Sequence, residues 1–332
     1  MLSDLNPFQS LLPILLLVLA LCRTASAGSA PPASEQSLGP TKVALTIDDL
    51  PTGSGEFSSY ITREEVTRRI IATLKANGLS GVYGFSNGEF MEWDPKLTHI
   101  LKMWRAAKYP LGNHTYHHFD LAKVGVKTFL DDIARQDQLL ATLETSPRVR
   151  RVFRYPFLSE GSTLEEREAV RKYLAQNGYR IAEVSTDYSD WRWNDTFNRC
   201  FSQHDEESIQ WLKDHVIDSA DRRLRQVNTA SQRLLRYRIP QIVLIHLNAF
   251  TAITLADILK RWKKEGVQFV SLDETMGQSI YGFDPKFGSY QGPTFLQQIA
   301  ASLGVGLGNF NDELYPAARL DAMCKAPPAS PH

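Results

Sequence analysis

The chain has 332 residues, of which 43% are apolar and 22% charged, and its formal net charge is zero. That length can bury a full core as one large domain or two ordinary ones, and the composition is that of a soluble globular protein. Charge neutrality argues against a polyanion such as nucleic acid as the main partner, although net charge does not report a local basic patch.

Residues 11–21, LLPILLLVLAL, form an apolar run too short to span a bilayer comfortably, and small residues follow in TASAGSA. The pattern predicts an export leader over residues 1–27, with Ala25 and Ala27 placed for cleavage after Ala27. Its first residues depart from the usual leader, carrying Asp4 and no Lys or Arg, and an uncleaved anchor is the alternative reading. Cys22 follows Leu21, where a lipoprotein has a small residue, so lipidation is not expected. Cleavage would leave no stable membrane anchor and a periplasmic or secreted protein. Residues 28–40, GSAPPASEQSLGP, are a Pro/Ser/Gly linker without periodicity.

KVALTI (42–47) reads as a buried strand, and TREEVTRRIIATLKANG (62–78) as a helix. Thr62 can cap that helix with Glu65 three residues later, and Gly78 can end it. A strand follows at 81–86 and a helix at 95–107, and YPLGNH returns as a strand that delivers a histidine cluster. Residues 126–144 form a long amphipathic helix, 151–157 a strand, 163–177 a helix ending at Gly178, and 180–186 a strand. Such alternation predicts an α/β sheet, open or closed into a barrel, with chemistry at the carboxyl ends of the strands. Asp48, Asp49, His114, Arg154, Asp187, Asp190 and His246 all fall at such ends. Two segments lie outside the alternation. Residues 193–237 are charged, largely helical and contain Cys200; residues 283–332 follow the last strand-like run, VQFVSL, as a Gly/Pro-broken tail with one helix near 294–303. With the leader removed, Cys200 and Cys324 remain as an even pair, first suspected in an exported protein to be a disulfide; their separation in sequence neither supports nor excludes it.

HTYHH (114–118) places three of the chain's eight histidines within five positions. His114 and His118, spaced i and i+4, can converge on one ion, whereas His117 points elsewhere; by itself the cluster could equally be a polar turn. LTIDDLP ends an apolar strand with Asp48 and Asp49, which repel each other unless a cation or an arginine neutralises them, although Asp-Asp-Leu-Pro is also good turn chemistry. One Asp and two His make a facial ligand set with open positions, the arrangement of a catalytic metal site. Arg154 could be an ordinary surface arginine, His246 a satisfied core histidine, Trp191 core with a functional edge, and Trp193 either core or a sugar platform.

Five segments in order carry a resemblance. TIDD (46–49), HTYHH (114–118), RYPF (154–157), DYSDW (187–191) and LIH (244–246) are similar to the motifs of the polysaccharide deacetylases with the NodB homology domain, carbohydrate esterase family 4. The resemblance spans about 41–275 and implies a distorted (β/α) barrel of about seven strands as a single catalytic domain. The domain would cover 41–282 with a helical insertion at 193–237, and 283–332 would be a C-terminal extension. It implies that Asp49, His114 and His118 hold one divalent metal, usually zinc, with cobalt, nickel or iron also suited to the donors. Asp48 would be the base, with Arg154 keeping it ionised, and Phe157 would offer its backbone N–H to the oxyanion. His246 would be the acid tuned by Asp190, Trp191 would pack alongside, and Leu244 would line the acetyl pocket. The implied activity is hydrolysis of acetyl groups on N-acetylated glycans such as chitin oligomers or peptidoglycan. An O-acetyl ester, a small amide or a cyclic imide would use the same site, and a non-catalytic glycan-binding module is the reading from another class. Ile47, Leu50 and Phe119 depart from the family pattern, as does the long stretch 193–237.

Overall fold

Continuous apolar strands need a cover on both faces, and the parallel sheet of this protein is covered on both. A computed structural model describes residues 39–52, 61–143, 151–288, 292–307 and 316–325. The expected leader 1–27 and most of the linker 28–40 lie outside these residues. Strand β1 (Lys42–Leu50) is followed by α1 (Arg63–Ala76), β2 (Tyr83–Ser86), α2 (Phe90–Trp93) and α3 (Thr98–Ala106). Next come β3 (Leu111–Asn113), α4 (Leu121–Leu143), β4 (Val152–Phe153), α5 (Leu164–Gln176), β5 (Arg180–Ile181) and β6 (Thr186–Asp187). Helices α6 (Asp190–Ser202) and α7 (Glu206–Leu235) intervene before β7 (Gln241–His246). The chain continues through α8 (Ala249–Lys264), β8 (Gln268–Phe269) and α9 (Leu272–Met276) to α10 (Phe295–Ser302) and α11 (Ala317–Ala322).

Among the described residues, seven strands run in the order β5-β4-β3-β2-β1-β7-β6, and β8 pairs with the start of β1. Every pairing is parallel, and the sheet curls as the distorted barrel type expected from the motifs. β1 is an interior strand, paired on both sides: Val43, Ala44, Leu45 and Ile47 are buried, and six consecutive residues pair with Gln241–His246. Capping chemistry sets the helix ends where the sequence places them. The Thr62 side chain accepts from the Glu65 N–H, Thr163 and Glu166 close a reciprocal capping box, and Gly78 leaves α1 at φ 69°.

Some boundaries differ from expectation for local reasons. β1 extends through the acidic pair to Leu50, whereas the segment 151–157 is strand only at Val152–Phe153 and turns at Pro156. The expected strand 180–186 is two short pieces that belong to opposite edges of the sheet. α4 begins before residue 126, broken at Gly125 with φ 74°, ψ 167°. The helical stretch expected at 193–237 begins at Asp190, so the fourth motif itself opens a helix. α6 and α7 bury Trp193, Phe197, Ile209, Leu212 and Val216 in the main core, and Phe295, Leu296, Ile299 and Leu320 of the tail join the same core. Trp193 is fully buried and therefore packs rather than stacks on a sugar. Cys200 of α6 and Cys324 are disulfide-bonded, with Cα atoms 5.0 Å apart. Among the described residues, no helix is long and apolar enough to cross a membrane.

Candidate active site

Adjacent strand residues normally point to opposite faces, so Asp48 and Asp49 could not share a cleft on regular backbone. The register of β1 against β2 shifts between Ile47 and Leu50, and Asp49 adopts φ 63°. An aspartate tolerates this left-handed conformation better than most residues, and the bulge turns both carboxylates to the same cavity.

The histidine cluster is a turn held open by side chains. Thr115 and His118 have positive φ. Asn87 donates to the carbonyls of His114 and Thr115 at 2.5 and 3.0 Å, and Asn113 accepts from the Thr115 N–H at 2.9 Å. The turn brings His114 Nε2 and His118 Nε2 to 3.5 and 3.3 Å from Asp49 Oδ1, and one ligand atom from each of the three residues lies within 4.8 Å of the others. His117 points away: its Nδ1 is 2.5 Å from Asp132 Oδ1, and its ring stacks on Phe119, the residue that departs from the motif.

The donor set fits a divalent metal. His114 Nδ1 lies 2.8 Å from the Arg154 carbonyl, which can only accept, so that nitrogen carries the proton and Nε2 is left with its lone pair. Burial, countered in part by Asp49, draws the His118 pKa down to about 4, leaving a neutral imidazole at neutral pH. Burial opposes ionisation of Asp49, but the neighbouring histidines outweigh it and hold its carboxyl far below the usual range. One carboxylate and two imidazoles whose Nε2 atoms converge on it suit zinc and its neighbours in the first transition series.

Arg154 is wholly buried and lies behind Asp48 rather than on the cavity surface. Its Nη1 donates to both Asp48 oxygens at 3.3 and 3.1 Å, Nη2 to Thr46 Oγ1 at 3.1 Å and Nε to the Ala182 carbonyl at 2.7 Å. A buried cation so fully hydrogen-bonded fixes the orientation of the carboxylate it faces. His246 is paired with Asp48 in the β1–β7 register. Its Nδ1 is 2.8 Å from Asp190 Oδ1, and Asp190 Oδ2 accepts from the His246 N–H, Asn248 Nδ2 and Thr251 Oγ1 at 2.8–2.9 Å. Burial disfavours the imidazolium, but the charge and hydrogen bond of Asp190 prevail and raise the His246 pKa to about 10.

These groups border a cavity of about 600 Å³ whose floor includes Asp48, Asp49, His114, His118, Leu244 and His246. Phe157 and Leu158 form one wall in consecutive left-handed conformations, φ 56° and 54°, a backbone that costs about 1–3 kcal/mol per residue unless its surroundings impose it. The Phe157 ring is 57% exposed and meets His118 edge-on at 4.5 Å between centroids. A second wall comes from α6 and α7, with Trp191, Arg192, Asp195, Arg223 and Val227, and a third from Gly292, Thr294 and Gln297 of the tail. Asp187 also faces the cavity, and burial raises its carboxyl above the usual carboxylate range.

All ten residues singled out in the sequence thus lie in or directly behind one cavity. Sequence reasoning missed Asn87, Arg223, Thr294 and Gln297. Asn87 follows a β-strand in the same way as the acidic pair and could have been found by that rule. The other three lie on an interior helix face and in the tail, where no local pattern distinguishes them.

Comparisons with known proteins bear on part of the chain. Residues 35–182 match the polysaccharide deacetylase family model. A peptidoglycan-N-acetylglucosamine deacetylase from Bacillus cereus is 28% identical over 151 residues, 46% of this chain and 46% of that protein. The chain thus matches about half the length of that relative. Similar solved structures include a family 4 carbohydrate esterase from Streptomyces lividans, 20% identical with a TM-score of 0.45, covering 72% of this chain and 96% of that one. A pseudoenzyme of the same esterase family from Bacillus anthracis is 20% identical with a TM-score of 0.47, covering 71% of this chain and 66% of that one. The family likeness therefore extends over residues 35–182, which carry the first three of the five ordered motifs.

Proposed function

We propose that this protein is an exported, divalent-metal-dependent hydrolase that removes acetyl groups from N-acetylated glycans of the chitin-oligomer or peptidoglycan type. The observation that carries the reading is the juxtaposition, in one cavity, of the Asp49–His114–His118 donor set with an arginine-clamped Asp48 and an Asp190-paired His246. The Cys200–Cys324 disulfide supports an oxidising compartment, as export through residues 1–27 would provide.

A divalent ion, zinc in this reading, held by Asp49, His114 and His118 would acidify water towards a pKa of ~7 and polarise the acetyl carbonyl. The residues of the chain do the rest. Asp48, aimed by the two hydrogen bonds from Arg154, takes the proton of the attacking water. The backbone N–H of Phe157 donates to the oxygen on which negative charge develops. His246, charged because Asp190 faces its Nδ1, gives a proton from Nε2 to the leaving nitrogen, which is too basic to depart unprotonated. Leu244 supplies apolar surface for the methyl group, and Trp191, 37% exposed at the rim, offers a ring face to the sugar.

The test couples acetate release from N-acetylglucosamine oligomers to metal content. Asp48→Asn is expected to retain the metal and lose about 10²–10⁴-fold in kcat, whereas His114→Ala is expected to lose the metal itself. Full turnover by Asp48→Asn, or a parent protein inert towards every acetylated substrate, would sink the reading.

A further inference from the structure

The tail segment 292–298 meets the chain at Phe157–Leu158, among the described residues the one turn whose backbone is left-handed twice in succession. Gly292, at φ 59°, passes so close to that turn that a Cβ built on it would lie 1.9 Å from the Phe157 carbonyl oxygen and 3.1 Å from the carbonyl carbon. A backbone atom cannot swing aside as a flexible side chain would, so this position accepts no side chain without displacing the turn. The segment is fixed just C-terminal to that contact. The Phe295 N–H donates to the Val184 carbonyl at 2.7 Å, and Gln298 Nε2 donates to the buried Glu160 Oε1 at 3.0 Å, just beyond the turn. Phe295 and Leu296 anchor it in the core.

We propose that residues 292–298 are a positioning brace, in which Gly292 holds the Phe157–Leu158 turn in the conformation that aims the Phe157 N–H into the cavity. Local hydrogen bonds, Leu158 N–H to the Tyr155 carbonyl and Ser159 N–H to the Pro156 carbonyl, shape a turn but do not select this left-handed pair over commoner ones. Packing from outside the turn does so, and Gly292 supplies it from the far end of the chain. The brace rests on the reading of Phe157 as oxyanion donor. It assigns the C-terminal extension a part in the site itself.

The test compares Gly292→Ala with Gly304→Ala, a tail glycine of similar φ, 66°, whose added Cβ meets nothing within 4 Å. Both variants carry the same backbone penalty, and only the first presses on the turn. Gly292→Ala is expected to lower kcat about 10- to 100-fold with KM within about threefold and the metal content of the parent, the pattern of a misaligned transition-state donor. Amide hydrogen exchange in the peptide 153–159 is expected to quicken about tenfold in Gly292→Ala and to stay at the parent rate in Gly304→Ala. Unchanged exchange in Gly292→Ala, or equal kcat losses in the two variants, would overturn the brace. A parent that turns over no acetylated substrate would overturn the functional reading instead, and the exchange comparison would still decide the brace.

Discussion

Asp190 controls His246 without touching the cavity. Its two oxygens accept four hydrogen bonds, two of them from His246, so neither the carboxylate nor the ring has freedom to reorient. Burial by itself would lower the His246 pKa, and the Asp190 charge reverses that to about 10. An acid with a folded-state pKa above its ordinary value stays charged through neutral pH and loses its proton only as the pH climbs towards that value. The pairing therefore stabilises the fold fully below about pH 6.5 and less and less as the pH rises through about 10. Asp190→Asn keeps the hydrogen-bond shape and removes the charge, leaving burial as the main influence. The alkaline limb of kcat is expected to move down by about two pH units or more in this variant, with KM little changed. A pH profile that coincides with that of the parent would show that His246 is not the proton donor.

Helices α6 and α7 are where a motif and an insertion become one element. The fourth motif opens α6 at Asp190, and ten residues later Cys200 binds the tail through Cys324. Arg199 Nη2 and Gln203 Nε2 add hydrogen bonds to the Leu320 and Cys324 carbonyls, both at 2.6 Å. Closing a loop of 124 residues removes unfolded-chain entropy worth about 5 kcal/mol in the chain-entropy relation, of which bridges typically deliver ~2–4 kcal/mol. Cys200→Ser is thus expected to lower Tm by roughly 5–10 °C, and dithiothreitol to have the same effect on the parent and none on the variant. An unshifted Tm would mean that the hydrogen bonds and core contacts hold the tail without the bridge. The contrast in legibility lies at this scale. β1, α1 and α5 could be read from apolar runs and caps because the signals are local. The histidine turn and the polar strand ends could be read because the proposed metal site would need specific donors. β4 and β5 shrink to two residues because Pro156 and the crossover between the sheet's edges interrupt their pairing, which no window of sequence reveals. The cavity walls from α7 and the tail depend on contacts between residues more than a hundred positions apart, and neither periodicity nor a motif marks Arg223 or Gly292.

At the scale of the molecule, the family match and the folding unit do not coincide. The match ends at residue 182, before β6, β7, Asp190 and His246. Yet β1, which carries the acidic pair, is paired along six residues with β7, and Ile242, Val243 and Ile245 of that strand are wholly buried. A chain cut at 182 would leave β1 as an open, apolar edge and would strip the core of α8 and of the tail residues Phe295 and Ile299. The part that carries the resemblance in its first three motifs is therefore expected not to fold by itself. Residues 39–182, expressed separately, should show no cooperative thermal transition by circular dichroism and should bind divalent metal more weakly than the full chain, because Asp49 and the histidines would no longer be held together. A soluble fragment with a sharp transition would mean that β7 closes a domain already formed, and that the site is assembled in two stages. The strand pairing favours assembly in one: Asp48 and His246, the proposed base and proton donor, sit opposite each other on β1 and β7, so the strand pair that forms the core would also bring that pair together.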